Sequence, residues 1–202
     1  MQMSLLAVDC DEMLIESIRW LSKYASEKYG HKRPYEQFRD YFIPNNPHIH
    51  LTKEEAVKLF DEYFMSSHAK DAKPVDGAKE ALQWLKNQWH ILVVVTGRNA
   101  LAKILTYDQM DMHYAGIFSD AIFCDHYTDN HMHKVDICKK INAQALFEDL
   151  MDTALDVSRG WIPTYLLKKP RNDHRDETHD LIHKIDHWSD IRLDDNVFSL
   201  AK

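Results

Sequence analysis

The chain has 202 residues, 45% of them hydrophobic and 11% aromatic, which is enough for a packed core and too apolar for a disordered chain. A net charge of −7 without a basic tail excludes the broad positive face that a nucleic-acid polymer requires. No apolar run approaches a membrane span, and Cys10, Cys124 and Cys138 lie far apart without a CxxC pair, against a disulfide framework or a zinc knuckle. The start "MQMSLLAVDC" lacks the basic flank and long apolar stretch of a secretory signal. With free thiols as well, the expected location is cytoplasmic, with no membrane partner.

In chain order, "SLLAV" (4–8) reads as a buried strand that runs into Asp9 and Asp11. From Leu14 to about Lys73 no convincing strand follows. Ile18, Leu21 and Ala25 share a helix face, with Gly30 as its stop. "IPNNPHIH" is loop by composition, and "LTKEEAVKLFDEYF" opens with a Thr52–Glu55 capping box before Ala56, Phe60 and Phe64. Alternation then begins: a helix carrying Ala78, Ala81, Leu82 and Leu85, then strands at 90–95, 121–124, 145–147 and 164–167. "ETHDLIHKIDHW" reads as a closing helix with Leu181, Ile182, Ile185 and Trp188 on one stripe. The pattern predicts an α/β fold, a Rossmann-like parallel sheet with helices on both faces and a small helical insertion after strand one.

In open α/β sheets ligands bind at the carboxyl ends of the strands. Strand one is followed by Asp9 and Asp11, strand two by Thr96, Gly97 and Arg98, strand three by Lys134 after a polar loop, and strand four by Glu148 and Asp149. Four strands thus deliver polar groups to one rim. Close carboxylates repel each other unless a cation, a shared proton or a chemical task compensates them.

This ordered set resembles the haloacid dehalogenase-like (HAD) hydrolase superfamily, whose motifs are Asp-x-Asp, Thr or Ser, Lys and an acidic pair. The match runs over residues 4 to 156. The resemblance implies a core domain at 1–13 and 74–202, a C1-type cap at 14–73, and a Mg²⁺-dependent phosphatase acting on a small phosphomonoester. It makes Asp9 the nucleophile, forming an aspartyl-phosphate. Asp11 becomes the acid and then the base, a role that asks for a raised pKa. Thr96, Gly97, Arg98 and Lys134 would bind substrate, and Asp9, Asp11 through its backbone carbonyl, Glu148 and Asp149 would hold the metal. Asp11 points to phosphate chemistry, because dehalogenases lack a carboxylate there. Glu12, Met13 and Glu148 depart from the usual residues of the motifs. "KKPRN" (168–172) and "HWSDI" (187–191) look like the 5′(3′)-deoxyribonucleotidase branch, with Arg171 in place of an aromatic residue, so a nucleoside monophosphate leads the substrates. The alternatives are a phosphatase or phosphomutase for a sugar phosphate, and a catalytically silent HAD-like binding protein.

Several residues keep a second reading. Thr96 also suits a helix N-cap, Arg98 a surface cation, and Asp152 a polar helix face rather than a support for the metal. Trp20, Tyr24, Phe60, Tyr63 and Phe64 suit either a small core or stacking on a nucleobase. His48 with His50, His131 with His133, and His183 with His187 have ligand-like spacings but lack a third convergent group, and read as surface histidines. Cys10 reads as a packing residue pointing away from the two aspartates.

Overall fold

The computed structural model describes residues 3–30, 32–46, 49–126 and 131–191. His48 lies outside them. Six strands, β1 (Leu5–Val8), β2 (Ile91–Thr96), β3 (Asp120–Phe123), β4 (Ala145–Glu148), β5 (Thr164–Leu167) and β6 (Ile182–Ile185), form one sheet in the order β3-β2-β1-β4-β5-β6. All neighbours pair in parallel. Side chains alternate across it as strand geometry requires. Leu6, Val8, Leu92, Val94 and Phe147 face one apolar core with α4 (Ala78–Asn87) and Tyr114 of α5 (Lys103–Tyr114). Ala7, Val93, Val95 and Leu146 face the other, with α6 (Lys134–Lys140) and α7 (Met151–Arg159). The α/β sandwich read from the apolar runs is the fold observed.

One element differs from the sequence reading. Residues 182–185 form an edge strand, not a helix, and the i, i+4 relation of His183 and His187 disappears with it. Pairing with β5 satisfies backbone groups along that edge, and only Ile185 of the four is fully buried. Trp188 then sits in a short 3₁₀ turn and stacks on Phe147, with ring centroids 5.4 Å apart.

Between β1 and α4 come α1 (Ser17–Tyr29), α2 (Lys53–Phe64) and α3 (Ser67–Lys70), and no strand among the described residues. Gly30 ends α1 with φ +71°, in the left-handed region, and Thr52 with Glu55 forms a reciprocal capping box on α2. Ile18, Leu21, Ala25, Leu59 and Tyr63 build a separate apolar cluster, which Ala102 and Leu105 of the neighbouring segment also join. The chain enters and leaves this layer side by side. Ile15 bridges Pro74, and the N–H of Val75 donates to the Leu14 carbonyl at 2.8 Å. Among the described residues no helix is long and apolar enough to cross a membrane.

Trp188 also anchors the turn after β1, its Nε1 donating to the Met13 carbonyl at 3.0 Å. Trp188→Phe keeps a ring against Phe147 but strands that buried carbonyl. The expected cost is about 1–3 kcal/mol, read as a lower urea midpoint at unchanged m-value.

Candidate active site

In a sheet of this order the crossovers change direction between β1 and β4, which is where a crevice opens above the strand ends. Asp9 follows β1 there, and Glu148 and Asp149 follow from β4 beside it. One carboxylate oxygen from each of the three lies within 4.8 Å of the others. Lys134, first residue of α6, reaches in between, its Nζ 2.7 Å from Asp9 Oδ1 and 2.7 Å from Glu148 Oε2. All four are buried. Burial pulls the Lys134 pKa down, but the two carboxylates outweigh it and hold the ammonium charged.

The three carboxylates are not equivalent. Glu148 is fully used: besides Lys134, its Oε1 accepts the N–H groups of Asp149 (3.0 Å) and Leu150 (3.1 Å). Asp149 is 1% exposed, yet neither of its oxygens accepts a hydrogen bond. Its nearest cation is Arg171, with Nε 3.5 Å from Oδ2. Burial therefore drives the Asp149 carboxyl well above the carboxylate range, and pushes Asp9 up to about 7 despite Lys134. A bare buried carboxylate beside a second one is the donor set a hard divalent cation takes, so the residues fit Mg²⁺. Asp9 and Asp149 have the oxygens to offer, while Glu148 is tied to Lys134 and to its own turn.

Asp11 is placed otherwise than its proposed proton-transfer role asks. Its carboxylate receives Arg98 Nε at 3.0 Å and NH2 at 2.7 Å. Burial alone would raise its pKa, but the Arg98 charge, with hydrogen bonds from Arg98 and Ser17, brings the net shift below the ordinary value. The Arg98 guanidinium is spent within the protein: NH1 on Thr106 and Gln109, NH2 also on Ser17. It is 3% exposed and not a surface cation, and it lines the cavity above the strand ends. Thr96, the last residue of β2, is not a helix cap either. Its Oγ1 accepts the Arg98 N–H, and Asn99 caps the 3₁₀ turn that follows. Gly97 is needed for space, because a Cβ there would lie 2.7 Å from the His126 ring. Cys10 lies beyond the end of β1, in the turn. It is a buried core residue, as expected, with burial pushing its thiol up to about 12.

Three contributors escaped the sequence reading. Glu12 occupies a left-handed position (φ +64°), a conformation that glycine adopts without steric cost. Its side chain has work of its own: it accepts the Ile18 N–H at the start of α1 (2.8 Å) and the Tyr35 hydroxyl. Arg171 faces Asp149, and Asn172 Nδ2 donates to the carbonyls of Asp149 and Leu167, both at 2.7 Å. The available signal was positional, since "KKPRN" follows β5 onto the same rim. Asp152 instead pairs with Arg175, Nη2 to Oδ1 at 2.7 Å.

Above these groups lies a cavity of about 400 Å³, floored by Asp9, Asp11, Lys134 and Asp149 and walled by Ile18, Val57, Phe60, Asp61, Phe64 and Leu101. Of the aromatic residues singled out in the insertion, Phe60 and Phe64 line it, while Tyr63 is buried in the cluster below.

No family model matches the chain, and no curated protein does. Solved structures do. A haloacid dehalogenase-like hydrolase from Streptococcus pneumoniae superposes with a TM-score of 0.62 at 14% identity, over 82% of this chain and 85% of that one. The fold is that of the haloacid dehalogenase-like hydrolases. A HAD-superfamily hydrolase of subfamily IA from Geobacter sulfurreducens shares it over 92% of this chain and 93% of its own (TM-score 0.57, 16% identity). So does a predicted phosphoglycolate phosphatase from Haemophilus somnus, over 83% and 86% (TM-score 0.58, 16% identity). In this HAD-like fold the β1/β4 crevice holds the acidic cluster described above.

Two outcomes follow from the charges. Arg98→Met leaves Asp11 unpaired and should cost about 3 kcal/mol, the lower end for a broken buried pair because the Asp11 side chain is 22% exposed. Adding Asp11→Asn should recover part of that loss in urea unfolding. Between its ordinary 3.8 and about 7, folded Asp9 keeps a proton that the unfolded chain releases. Its contribution to stability therefore falls as pH rises through that window. In EDTA, wild type should lose stability relative to Asp9→Asn between pH 5 and pH 8, measured by urea unfolding at both.

Proposed function

We propose that this protein is a Mg²⁺-dependent phosphohydrolase that cleaves a small phosphomonoester through an aspartyl-phosphate, an acyl phosphate, at Asp9. One observation carries the reading: Asp9, the hydrogen-bond-free carboxylate of Asp149 and the ammonium of Lys134 converge in the β1/β4 crevice. Asp9 and Asp149 would hold Mg²⁺, which would supply positive charge to a phosphoryl oxygen and keep both carboxylates ionised.

The chain's own groups do the rest. An Asp9 oxygen attacks phosphorus, and the bond from phosphorus to the leaving oxygen breaks. Lys134, already paired with Asp9 Oδ1, remains to balance the phosphoryl charge once that carboxylate is phosphorylated. Thr96 accepts the Arg98 N–H through Oγ1, and that bond does not use its own hydroxyl hydrogen, which donates to the phosphoryl group. Asp11, held ionised by Arg98, has no proton to give the leaving oxygen, which takes one from solvent; Asp11 acts as the base that takes a proton from the water that cleaves the Asp9 acyl phosphate. Residues 14–73 act as a cap over the site. The resemblance of the motifs points to a nucleoside monophosphate as substrate, and the name of the Haemophilus somnus neighbour points to a short anionic ester. The catalytic floor accommodates either.

Phosphate release from acetyl phosphate with Mg²⁺ tests the reading. EDTA should abolish release and excess Mg²⁺ restore it, while Asp9→Asn should lower it about a thousandfold or more with the thermal transition still cooperative. Turnover retained in EDTA or in Asp9→Asn would overturn it. Mg²⁺ should also raise the melting temperature of wild type, and Asp149→Asn should remove most of that rise.

A further inference from the structure

Three cations line the cavity among the described residues, and they are not engaged alike. Lys134 holds two carboxylates, each at 2.7 Å. Arg98 clasps Asp11 while its nitrogens also bond Thr106, Gln109 and Ser17. The Arg171 guanidinium donates no hydrogen bond among the described residues, although Arg171 is only 8% exposed. Its one ion pair is the 3.5 Å approach of Nε to Asp149 Oδ2. A buried guanidinium with its N–H groups unused is costly unless a ligand takes them up.

Neighbouring carboxylates do not take them up. Glu12 and Asp11 attract Arg171 electrostatically, but both are answered by other groups. Glu12 accepts the Ile18 N–H and the Tyr35 hydroxyl, with Lys169 Nζ at 4.0 Å, and Asp11 holds Arg98. Asp149 is the carboxylate given to Mg²⁺ in the proposed mechanism, so its charge is shared once the metal is bound. Arg171 then changes from a partner of Asp149 into a free cation on the cavity wall.

Place decides what that cation meets. Along the rim Asp9 follows β1, Asp149 follows β4 and Arg171 follows β5, in the spatial order of those strands. Lys134, on Asp9, serves the phosphoryl end of a substrate. Arg171, past Asp149, is placed for the other end.

We propose that Arg171 is a specificity-determining residue: with Mg²⁺ on Asp149, its guanidinium pairs with a carboxylate on the leaving group, a few atoms from the ester oxygen. This rests on the phosphohydrolase reading and selects within it. The planar fork of a guanidinium matches a carboxylate, and one such charge balances the other. A second phosphate would bring nearly two charges and leave one of them facing the carboxylate of Asp61, which also lines the cavity. The same geometry couples the two ligands. Arg171 opposes a cation at Asp149 and is released to the anion when that cation is bound, so each ligand tightens the other.

The test measures Mg²⁺ affinity by titration calorimetry without substrate, then kcat and KM with Mg²⁺ for four compounds. Phosphoglycolate carries the carboxylate, 2-hydroxyethyl phosphate a hydroxymethyl group in its place, ethylene glycol bisphosphate a second phosphate, and acetyl phosphate none of these. Phosphoglycolate should exceed the other two esters in kcat/KM by about tenfold or more. Arg171→Gln should raise its KM about tenfold with kcat within about threefold, leave acetyl phosphate within about threefold, and tighten Mg²⁺ binding about fivefold. Arg171→Lys, which keeps the charge and loses the fork, should recover part of the KM loss, and melting curves confirm that both variants are folded. Weaker Mg²⁺ binding with slower acetyl phosphate turnover in Arg171→Gln would make Arg171 a support for Asp149 and overturn the assignment. A KM unmoved in both variants, or either other ester matching phosphoglycolate, would overturn it too, and each of these results leaves the phosphohydrolase standing. Metal-dependent release from none of the four would overturn both.

Discussion

The fold is organised around the cost of burying negative charge. Asp9, Glu12, Glu148 and Asp149 are each 4% exposed or less, at the ends of two adjacent strands. An ion taken out of water loses several kcal/mol of hydration unless a partner replaces it. The surroundings supply those partners one by one: Lys134 heads α6 between Asp9 and Glu148, Arg98 leaves β2 to clasp Asp11, and backbone N–H groups close on Glu148 and Glu12. Asp149 is left with only a 3.5 Å approach from Arg171 and no hydrogen bond. Asp149 is the one carboxylate of this cluster left with oxygens to offer a cation.

The same constraint ties the helical insertion to the sheet. Glu12 stands in the turn after β1 but spends its side chain on Ile18 and Tyr35, both within the insertion. Arg98 does the reverse, leaving the sheet to meet Ser17, and Gln109 of α5 donates to the Ala69 carbonyl at 2.8 Å. The cavity walls thus derive from α1, α2 and the turn after β2, and its floor from strand ends, with buried polar side chains fixing one against the other.

Most of the fold was legible because hydrophobic runs of strand length alternate with amphipathic helices, and because polar motifs follow the strands in order. The capping box at Thr52, the stop at Gly30 and the stripe through Leu82 and Leu85 are local signals and appear as read. β6 was misread because "LIHKI" satisfies a helical stripe as well as a short strand, and only the open edge of β5 decides between them. At the site, residue types and sequence order indicated Asp9, Lys134, Glu148 and Asp149, and these four do gather. Pairing was invisible: neither the clasp of Arg98 on Asp11 nor the use of Glu148 by Lys134 follows from spacing, since each joins segments distant in the chain. Glu12 was hidden for another reason. Its positive φ belongs to a turn position that glycine fills without steric cost, and its compensation is a hydrogen bond from the Tyr35 hydroxyl.

The crossing at Ile15 and Pro74 has a consequence for how such a protein can change. Its two strands of chain lie against each other and are moored from below, where Tyr114 donates to the Leu14 carbonyl at 2.6 Å and Trp188 to that of Met13. Whatever is spliced between those points begins and ends at a junction that is already closed. The entropy of joining the ends grows slowly, about 0.6 kcal/mol for each doubling of the intervening length. Segments of quite different size can therefore be accommodated at this junction at little entropic cost and without moving the strand ends beneath.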